Sequence, residues 1–215
     1  MNRVSSGRNR TGQRSRLTLR KAWLHFKTIT HHRHLVLRGC FAVGLYRQGI
    51  LHDLSKYMPS EFLVGARYYQ GDRSPNNAER EETGASLAWL HHKGRNRHHY
   101  EYWMDYNAHS VLNGPYPSDA AIVPVKMPGR YVVEMLMDRI AASKTYHPDT
   151  YRDSDPLGYY LRGNKNDVLI HPETAALLEK LLRMLAEKGE TETFSYIRAH
   201  LHRKRRKKTA REGTS

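Results

Sequence analysis

Apolar residues recur along the body of the chain every three to four positions, which is the spacing of one face of an α-helix. The clearest stripe begins near Pro172 and runs to Glu187, with apolar positions at Ala175, Leu178, Leu181, Leu182 and Leu185. A second stripe lies between Arg130 and Lys144, at Val132, Val133, Leu136 and Ile140. Strand-like alternation is nearly absent, so the pattern predicts an all-α fold.

The rest of the body divides into shorter helices separated by turn residues. Gly49 and Pro59 are expected to end two of them, and Ser60 to cap the next. Turn residues predict loops at Gly71–Asn77 and Asn113–Pro117, and Val125–Met127 is expected to be a short strand. The other predicted helices are Leu17–Thr28, His32–Arg47, Ile50–Tyr57, a helix from Ser60 that carries Tyr69, Ala78–His92, His98–Tyr106 and Thr191–His202.

The positive charge is concentrated at the two ends of the chain. Residues 1–21 carry seven basic side chains and no acid, and residues 203–215 carry seven basic side chains and one acid. These segments supply +13 of the net charge of +15, which leaves +2 for the body. We therefore expect a helical domain over residues 17–202 between flexible basic tails, residues 1–16 and 203–215, that are either solvated or in weak contact with nucleic acid.

Composition excludes several other classes of protein. The length of 215 residues suits one domain with a buried core. A single cysteine, Cys40, excludes an internal disulfide, a zinc ribbon and an iron–sulfur cluster. No apolar run approaches the roughly 18–20 residues that span a bilayer, and no secretory signal follows the basic N-terminus, so a cytoplasmic protein without membrane contact is expected.

Histidines are the most unusual feature of the body. Ten of the 14 lie between residues 25 and 109, and they include the doublets His31-His32, His91-His92 and His98-His99. Imidazole and carboxylate groups are ligands for Mn, Fe, Co, Ni and Zn. The predicted metal ligands, drawn from separate helices and with His52-Asp53 on one helix, are His32, His52, Asp53, His92, His98 and Asp138.

Alternatives remain open at most of these positions. His31 can replace His32, and His91 and His99 can replace the chosen members of their doublets, whose other members would cap a helix or bond a carbonyl. Asp53 could instead cap a helix, and Asp138 could pair with Arg139 or Arg130. An unpaired acid within an apolar helix face is costly, and a metal is one partner that would remove this cost.

The order of these residues resembles the HD superfamily of metal-dependent phosphohydrolases. The resemblance rests on His32 followed by Val36, on LHDLSK at residues 51–56, and on Asp138 followed by Ala141-Ala142. It implies an HD-like helical bundle with His32, His52, Asp53 and Asp138 as metal ligands. Intermediate histidines hold a second metal in some members, so one or two divalent ions are expected.

A narrower resemblance covers about residues 22 to 185. The segments HDLSKYMPSEF at residues 52–62, YYQGDRSP at 68–75 and WLHHKGRNRHHYEYW at 89–103 are similar to a bacterial HD-like family of unknown function. Some members of that family carry the label catalase. No haem-binding pattern is found in this sequence, so the label has no chemical support here.

The expected function is a metal-dependent phosphohydrolase acting on a phosphorylated small molecule or a nucleotide. Lys56 matches a lysine of the HD pattern that is placed to meet phosphate, and Lys56 and Arg95 are the predicted catalytic cations. Lys56, Arg95 and Arg97 are predicted to bind substrate, although the two arginines could equally face solvent. Glu61 and Glu101 could act as bases or hold ligand histidines. The alternatives are a protein that binds nucleic acid through its tails and a di-iron HD-type oxygenase.

Overall fold

The structure, a computed structural model, describes residues 15–107, 122–163 and 169–212, with side chains described as far as residue 201. The predicted loop Asn113–Pro117 and residues 1–14 of the predicted N-terminal tail lie outside this part. Within it the fold is all-α, as the apolar pattern predicts, with one small two-stranded sheet.

The described part contains eight α-helices, two short 3-10 helices and two strands. The 3-10 helices are Leu54–Tyr57 and Tyr100–Tyr102, and β1 (Met104–Tyr106) pairs antiparallel with β2 (Ile122–Pro124). The α-helices are α1 Leu19–Ala42, α2 Tyr46–Leu51, α3 Pro59–Arg67, α4 Pro75–Thr83, α5 Leu87–Arg95, α6 Gly129–Tyr146, α7 Asp155–Gly163 and α8 Pro172–Glu212. None of these helices is both long and apolar enough to span a membrane.

The hydrophobic core surrounds α6, which packs against both α1 and α8. Residues 132–137 of α6 are all buried. The predicted stripe of α8 meets them with Leu178, Leu181, Leu182 and Leu185, each of which is at most 2% exposed. Burial of each such leucine contributes about 1.5–3 kcal/mol, so α6 is firmly held. This packing fixes the position of Glu134 and Asp138, the two acids of α6 that face the site described below.

The first two predicted helices form one continuous helix. Thr18 caps α1, because its Oγ1 accepts a hydrogen bond from Lys21 N at 3.2 Å. The predicted break before His32 is wrong, because the buried face of α1 continues through it at His25, Ile29, His32, Val36 and Cys40. Two buried histidines interrupt the apolar pattern, and this made one helix resemble two.

Glycines explain several boundaries. Gly44, with φ 83°, follows α1 in the left-handed region, whereas Gly49, the predicted breaker, is buried inside α2. A Cβ at Gly49 would lie 2.9 Å from Cys40 Cβ, so this position requires glycine for close packing. Gly84, with φ 82°, divides the predicted helix Ala78–His92 into α4 and α5. Gly189 interrupts α8 between its two predicted parts.

Other boundaries also differ from the prediction. Met58 and Pro59, and not Ser60, begin α3. The predicted helix His98–Tyr106 is a 3-10 turn followed by β1, and the predicted strand Val125–Met127 lies three residues earlier, as β2. Helix α7 was not predicted. The backbone of α8 is helical as far as Glu212, so its end does not coincide with the predicted tail boundary at residue 203.

Candidate metal centre

The His52-Asp53 pair lies at a sharp break in the backbone, so the predicted single helix Ile50–Tyr57 is wrong at this point. Helix α2 ends at Leu51, and His52 has the extended angles φ −54° and ψ 127°. Asp53 has the left-handed angles φ 52° and ψ 25° and is the one non-glycine residue of the described part with positive φ. Aspartate tolerates this conformation better than most residues. The turn directs both side chains inward, where they are 2% and 0% exposed.

Four of the predicted ligands form a first group, which we call site 1: His32, His52, Asp53 and Asp138. His32 Nε2 lies 2.9 Å from Asp138 Oδ1, and His52 Nε2 lies 3.6 Å from the same oxygen and 3.3 Å from Asp53 Oδ2. Metal–ligand bonds of about 2.0–2.2 Å place two ligands of one ion at most about 4.4 Å apart. The spacings of site 1 therefore suit one ion.

Asp53 also belongs to a second group, site 2, with His92, His98 and His99. His92 Nε2 lies 3.3 Å and His98 Nε2 lies 3.4 Å from Asp53 Oδ1, which is the carboxylate oxygen not used in site 1. One aspartate thus presents one oxygen to each group. If each group held one metal ion, Asp53 would contribute one oxygen to each.

Polar atoms of both groups are buried without a well-oriented hydrogen-bond partner. Five of them are Nε2 of His32, His52, His98 and His99, together with Asp53 Oδ1, and the sixth, Asp53 Oδ2, lies 2.6 Å from Lys56 Nζ. Leaving a buried polar atom unsatisfied costs about 1–3 kcal/mol, so five such atoms facing one another are not explained by packing. Coordination of metal ions at their centre would satisfy all of them.

Two further carboxylates contact the Nδ1 atoms of three of the histidines, on the opposite side of each ring from Nε2. Glu134 Oε1 lies 3.1 Å from His52 Nδ1 and 3.2 Å from His98 Nδ1, and Glu61 Oε2 lies 2.7 Å from His92 Nδ1. When Nδ1 donates its proton to a carboxylate, the lone pair of Nε2 points to the centre, as metal coordination requires. All three Nε2 atoms face Asp53 in this way.

Sequence reasoning anticipated one of these carboxylates and missed the other. Glu61 was expected either to act as a base or to hold ligand histidines, and it bonds both members of the doublet His91-His92. Glu134 was overlooked, although it lies one turn before Asp138 in the otherwise apolar run Val132–Met137. An acid at i and another at i+4 on a buried helix was the available signal.

The pKa values describe a buried centre in which acidic and basic groups stabilise each other's charged forms. Burial alone would raise the pKa of Asp53, but the charges of His52 and Lys56 hold it well below its ordinary value. Burial would lower the pKa of His52, but the surrounding carboxylates, Asp53 foremost, raise it well above its ordinary value. Burial and neighbouring histidines hold the pKa of His99 well below its ordinary value, so its ring is neutral. A metal ion would bind here by displacing a proton.

A cavity of about 840 Å³ reaches this centre. His32, Asp138, His92 and His99 line it together with Lys56. The Asp138 side chain is 19% exposed, so the centre is accessible from the cavity on that side. A volume of this size accommodates a small organic molecule beside the ligands.

Several alternatives from the sequence lie elsewhere. His31 is exposed on α1, and His91 bonds Glu61 and Ser60 outside both groups, whereas His98 and His99 both belong to site 2. No side-chain cap of Asp53 is present, and Asp138 faces His32 and His52 instead of an arginine.

The predicted arginines do not reach the cavity. Arg95 is exposed, with Nη1 3.8 Å from Met58 Sδ, and Arg97 is exposed and donates to Tyr131 Oη at 3.4 Å. Of the predicted substrate-binding cations, Lys56 lines the cavity. The arginines that line it in the described part are Arg73, Arg80, Arg139 and Arg162.

A family model with the description "Family of unknown function (DUF5662)" matches residues 21–184, which include every residue of sites 1 and 2. No curated protein and no solved structure matches the chain.

Proposed function

We propose that this chain, which belongs to the family of unknown function DUF5662, is a metal-dependent hydrolase with two divalent ions that acts on a phosphorylated small molecule or a nucleotide. The observation that carries the proposal is the position of Asp53. Its two oxygens face two separate groups of buried imidazole and carboxylate ligands. The chain order of His32, His52-Asp53 and Asp138 in a helical body resembles the HD superfamily and supports the same function.

Site 1 would hold one ion through His32, His52, Asp53 and Asp138, and site 2 would hold the other through Asp53, His92, His98 and His99. Imidazole and carboxylate ligands suit Mn, Fe, Co, Ni or Zn. Bound divalent ions lower the pKa of water toward neutrality and polarise a phosphoryl oxygen.

Glu134 and Glu61 act as positioning residues. Each accepts from the Nδ1 atoms of ligand histidines, which fixes both the ring orientation and the tautomer. Glu134 holds one histidine of each site, His52 and His98, and so couples the geometry of the two sites.

Lys56 supplies a fixed positive charge on the cavity side. Its Nζ lies 2.6 Å from Asp53 Oδ2, and the charges of Asp53 and Asp138 raise its pKa although burial opposes them. Lys56 is therefore charged throughout the physiological pH range. A lysine at this position would donate a hydrogen bond to a phosphoryl oxygen and stabilise charge that develops there.

The test combines metal analysis with turnover. After saturation and desalting, the wild-type protein should retain close to two equivalents of metal and hydrolyse a member of a panel of phosphomonoesters and nucleotides. Asp53→Asn should lose both metals and turnover. Asp149→Asn, the same change at an exposed position, should lose neither.

Two outcomes would contradict the proposal. Retention of less than about a tenth of an equivalent of metal, with no gain on adding Mn, Fe, Co, Ni or Zn, would show that the proposed metal centre does not exist. Turnover that requires both iron and O₂ would replace hydrolysis by oxidation and identify the oxygenase alternative.

A further inference from the structure

One face of α6 forms a wall of the cavity. Arg139 directly follows the ligand Asp138, and both line the cavity together with Ser143. Successive residues of a helix point about 100° apart, so the side chains of Asp138 and Arg139 diverge. The long side chain of Arg139 therefore lines a part of the cavity beside the metal centre.

Arg139 has no counter-charge in the described part of the chain. Its Nε is buried and lacks a hydrogen-bond partner, and no ion pair of its guanidinium is found among the described residues. Two of the other arginines that line the cavity have a side-chain partner, because Arg73 pairs with Glu81 and Arg80 donates to the Asn77 amide oxygen. The fourth, Arg162, is exposed. Arg139 is half-buried and lines the cavity, so an anionic ligand bound there would supply the acceptors that its guanidinium lacks.

Tyr160 of α7 holds this guanidinium in place. The Arg139 Cζ lies 5.5 Å from the centroid of the Tyr160 ring, and Tyr160 is itself 4% exposed. Such a contact restrains the planar group through its face, and the two Nη donors, unlike Nε, are not among the buried atoms without a partner. The edge that carries these donors matches two oxygens of a phosphate or a carboxylate.

We propose that Arg139, held against Tyr160, binds a second anionic group of the substrate, a phosphate or a carboxylate, apart from the group at the metal centre. This inference rests on the proposed function. The cavity of about 840 Å³ is larger than one phosphate needs, and it places Arg139 and the metal ligands in the same space.

The test compares ligands with one and with two anionic ends. Propylphosphonate serves as the reference, and the two-ended ligands are diphosphonates and phosphonocarboxylates joined by alkyl chains of increasing length. Titration calorimetry on the metal-loaded full chain should show at least one two-ended ligand binding about tenfold more tightly than propylphosphonate, the effect of a charge-assisted hydrogen bond. If diphosphonates bind more tightly, the second anionic group of the substrate is a phosphate, and if phosphonocarboxylates bind more tightly, it is a carboxylate.

Variants of Arg139 distinguish the subsite from general charge. Arg139→Gln should abolish the preference for two-ended ligands while propylphosphonate affinity and metal content stay unchanged, and Arg139→Lys should restore part of it. Arg95→Gln removes the same charge outside the cavity and should keep the preference. Absence of a preference in the wild type, or its persistence in Arg139→Gln, would overturn the inference.

The proposed function fails separately. If propylphosphonate bound equally well with and without added metal, the metal centre would not be the site of the first anionic group. The comparison of wild type with Arg139→Gln, using the same ligands, tests the second group in either case.

Discussion

Glu134→Gln is the most informative single change outside the ligands themselves. Glutamine has nearly the same shape, but it replaces an oxygen that bonds two histidines by an uncharged amide. In the structure Glu134 Oε1 lies 3.1 Å from His52 Nδ1 and 3.2 Å from His98 Nδ1. The amide oxygen can still accept, yet it no longer carries the charge that favours donation from both rings.

The size of the effect follows from these two contacts. Loss of a single outer partner of a metal ligand costs about 10–100-fold in metal affinity. This corresponds to about 1.4–2.7 kcal/mol at about 1.36 kcal/mol per factor of ten. Because Glu134 holds one histidine of each site, both binding steps should weaken by an amount in this range. A residue that supported one site would change one step.

The assay is a competition titration of metal against a chelator, which resolves the two binding steps. Glu81→Gln is the matched control, because Glu81 is exposed and pairs with Arg73 away from the centre. Thermal melting of the metal-free variants would establish that both fold. If folded Glu134→Gln bound both metals as tightly as the wild type, Glu134 would not position the ligands and the argument from its contacts would be refuted.

Three further changes test other parts of the account. Burial, with Lys56 nearby, lowers the pKa of His25 to about 4, so between about pH 6.5 and 4 the unfolded chain binds a proton that the folded chain does not. The free energy of unfolding should therefore fall by about 2 kcal/mol as pH falls from 7.5 to 5. Denaturant titrations should show a smaller loss in His25→Asn, and an unchanged loss would contradict this reasoning. Gly65→Ala would place a Cβ 2.7 Å from His25 Cε1 and should destabilise the folded protein by about 1–3 kcal/mol. Gly94→Ala lies in open space on α5 and should stabilise it by up to about 1 kcal/mol. Equal effects of the two substitutions would contradict the packing described. Metal at a thousandfold excess over Kd should raise the free energy of unfolding by about 4 kcal/mol for each site that it fills, and a melting temperature independent of metal would show that the sites do not form.

The all-α class follows from the spacing of apolar residues, which the structure confirms. The clustering of the predicted site residues rests on a second signal. Acids and histidines on otherwise apolar helix faces, such as His32 on α1 and Asp138 on α6, are costly unless they share a function, and the structure brings these residues together with His52, Asp53, His92 and His98.

The remaining features depend on tertiary packing. The left-handed backbone conformation of Asp53 has no local sequence signal. The turn that it forms after α2 could therefore not be predicted. Which histidine of each doublet faces Asp53 depends on the local backbone conformation, which sets the direction of each side chain. His91 points away from Asp53, while His98 and His99, in an irregular segment, both reach it. Arg139, one of the arginines that line the cavity, was considered only as a partner for Asp138.

The central proposal is that Asp53 would supply one oxygen to each of two metal ions, and the EPR spectrum of the protein loaded with Mn²⁺ tests it most directly. Two ions that share one carboxylate should give the spectrum of a spin-coupled pair, and Asp53→Asn should abolish it. The account predicts this coupled signal at saturation. A wild-type spectrum of isolated, uncoupled Mn²⁺ at every loading would contradict it.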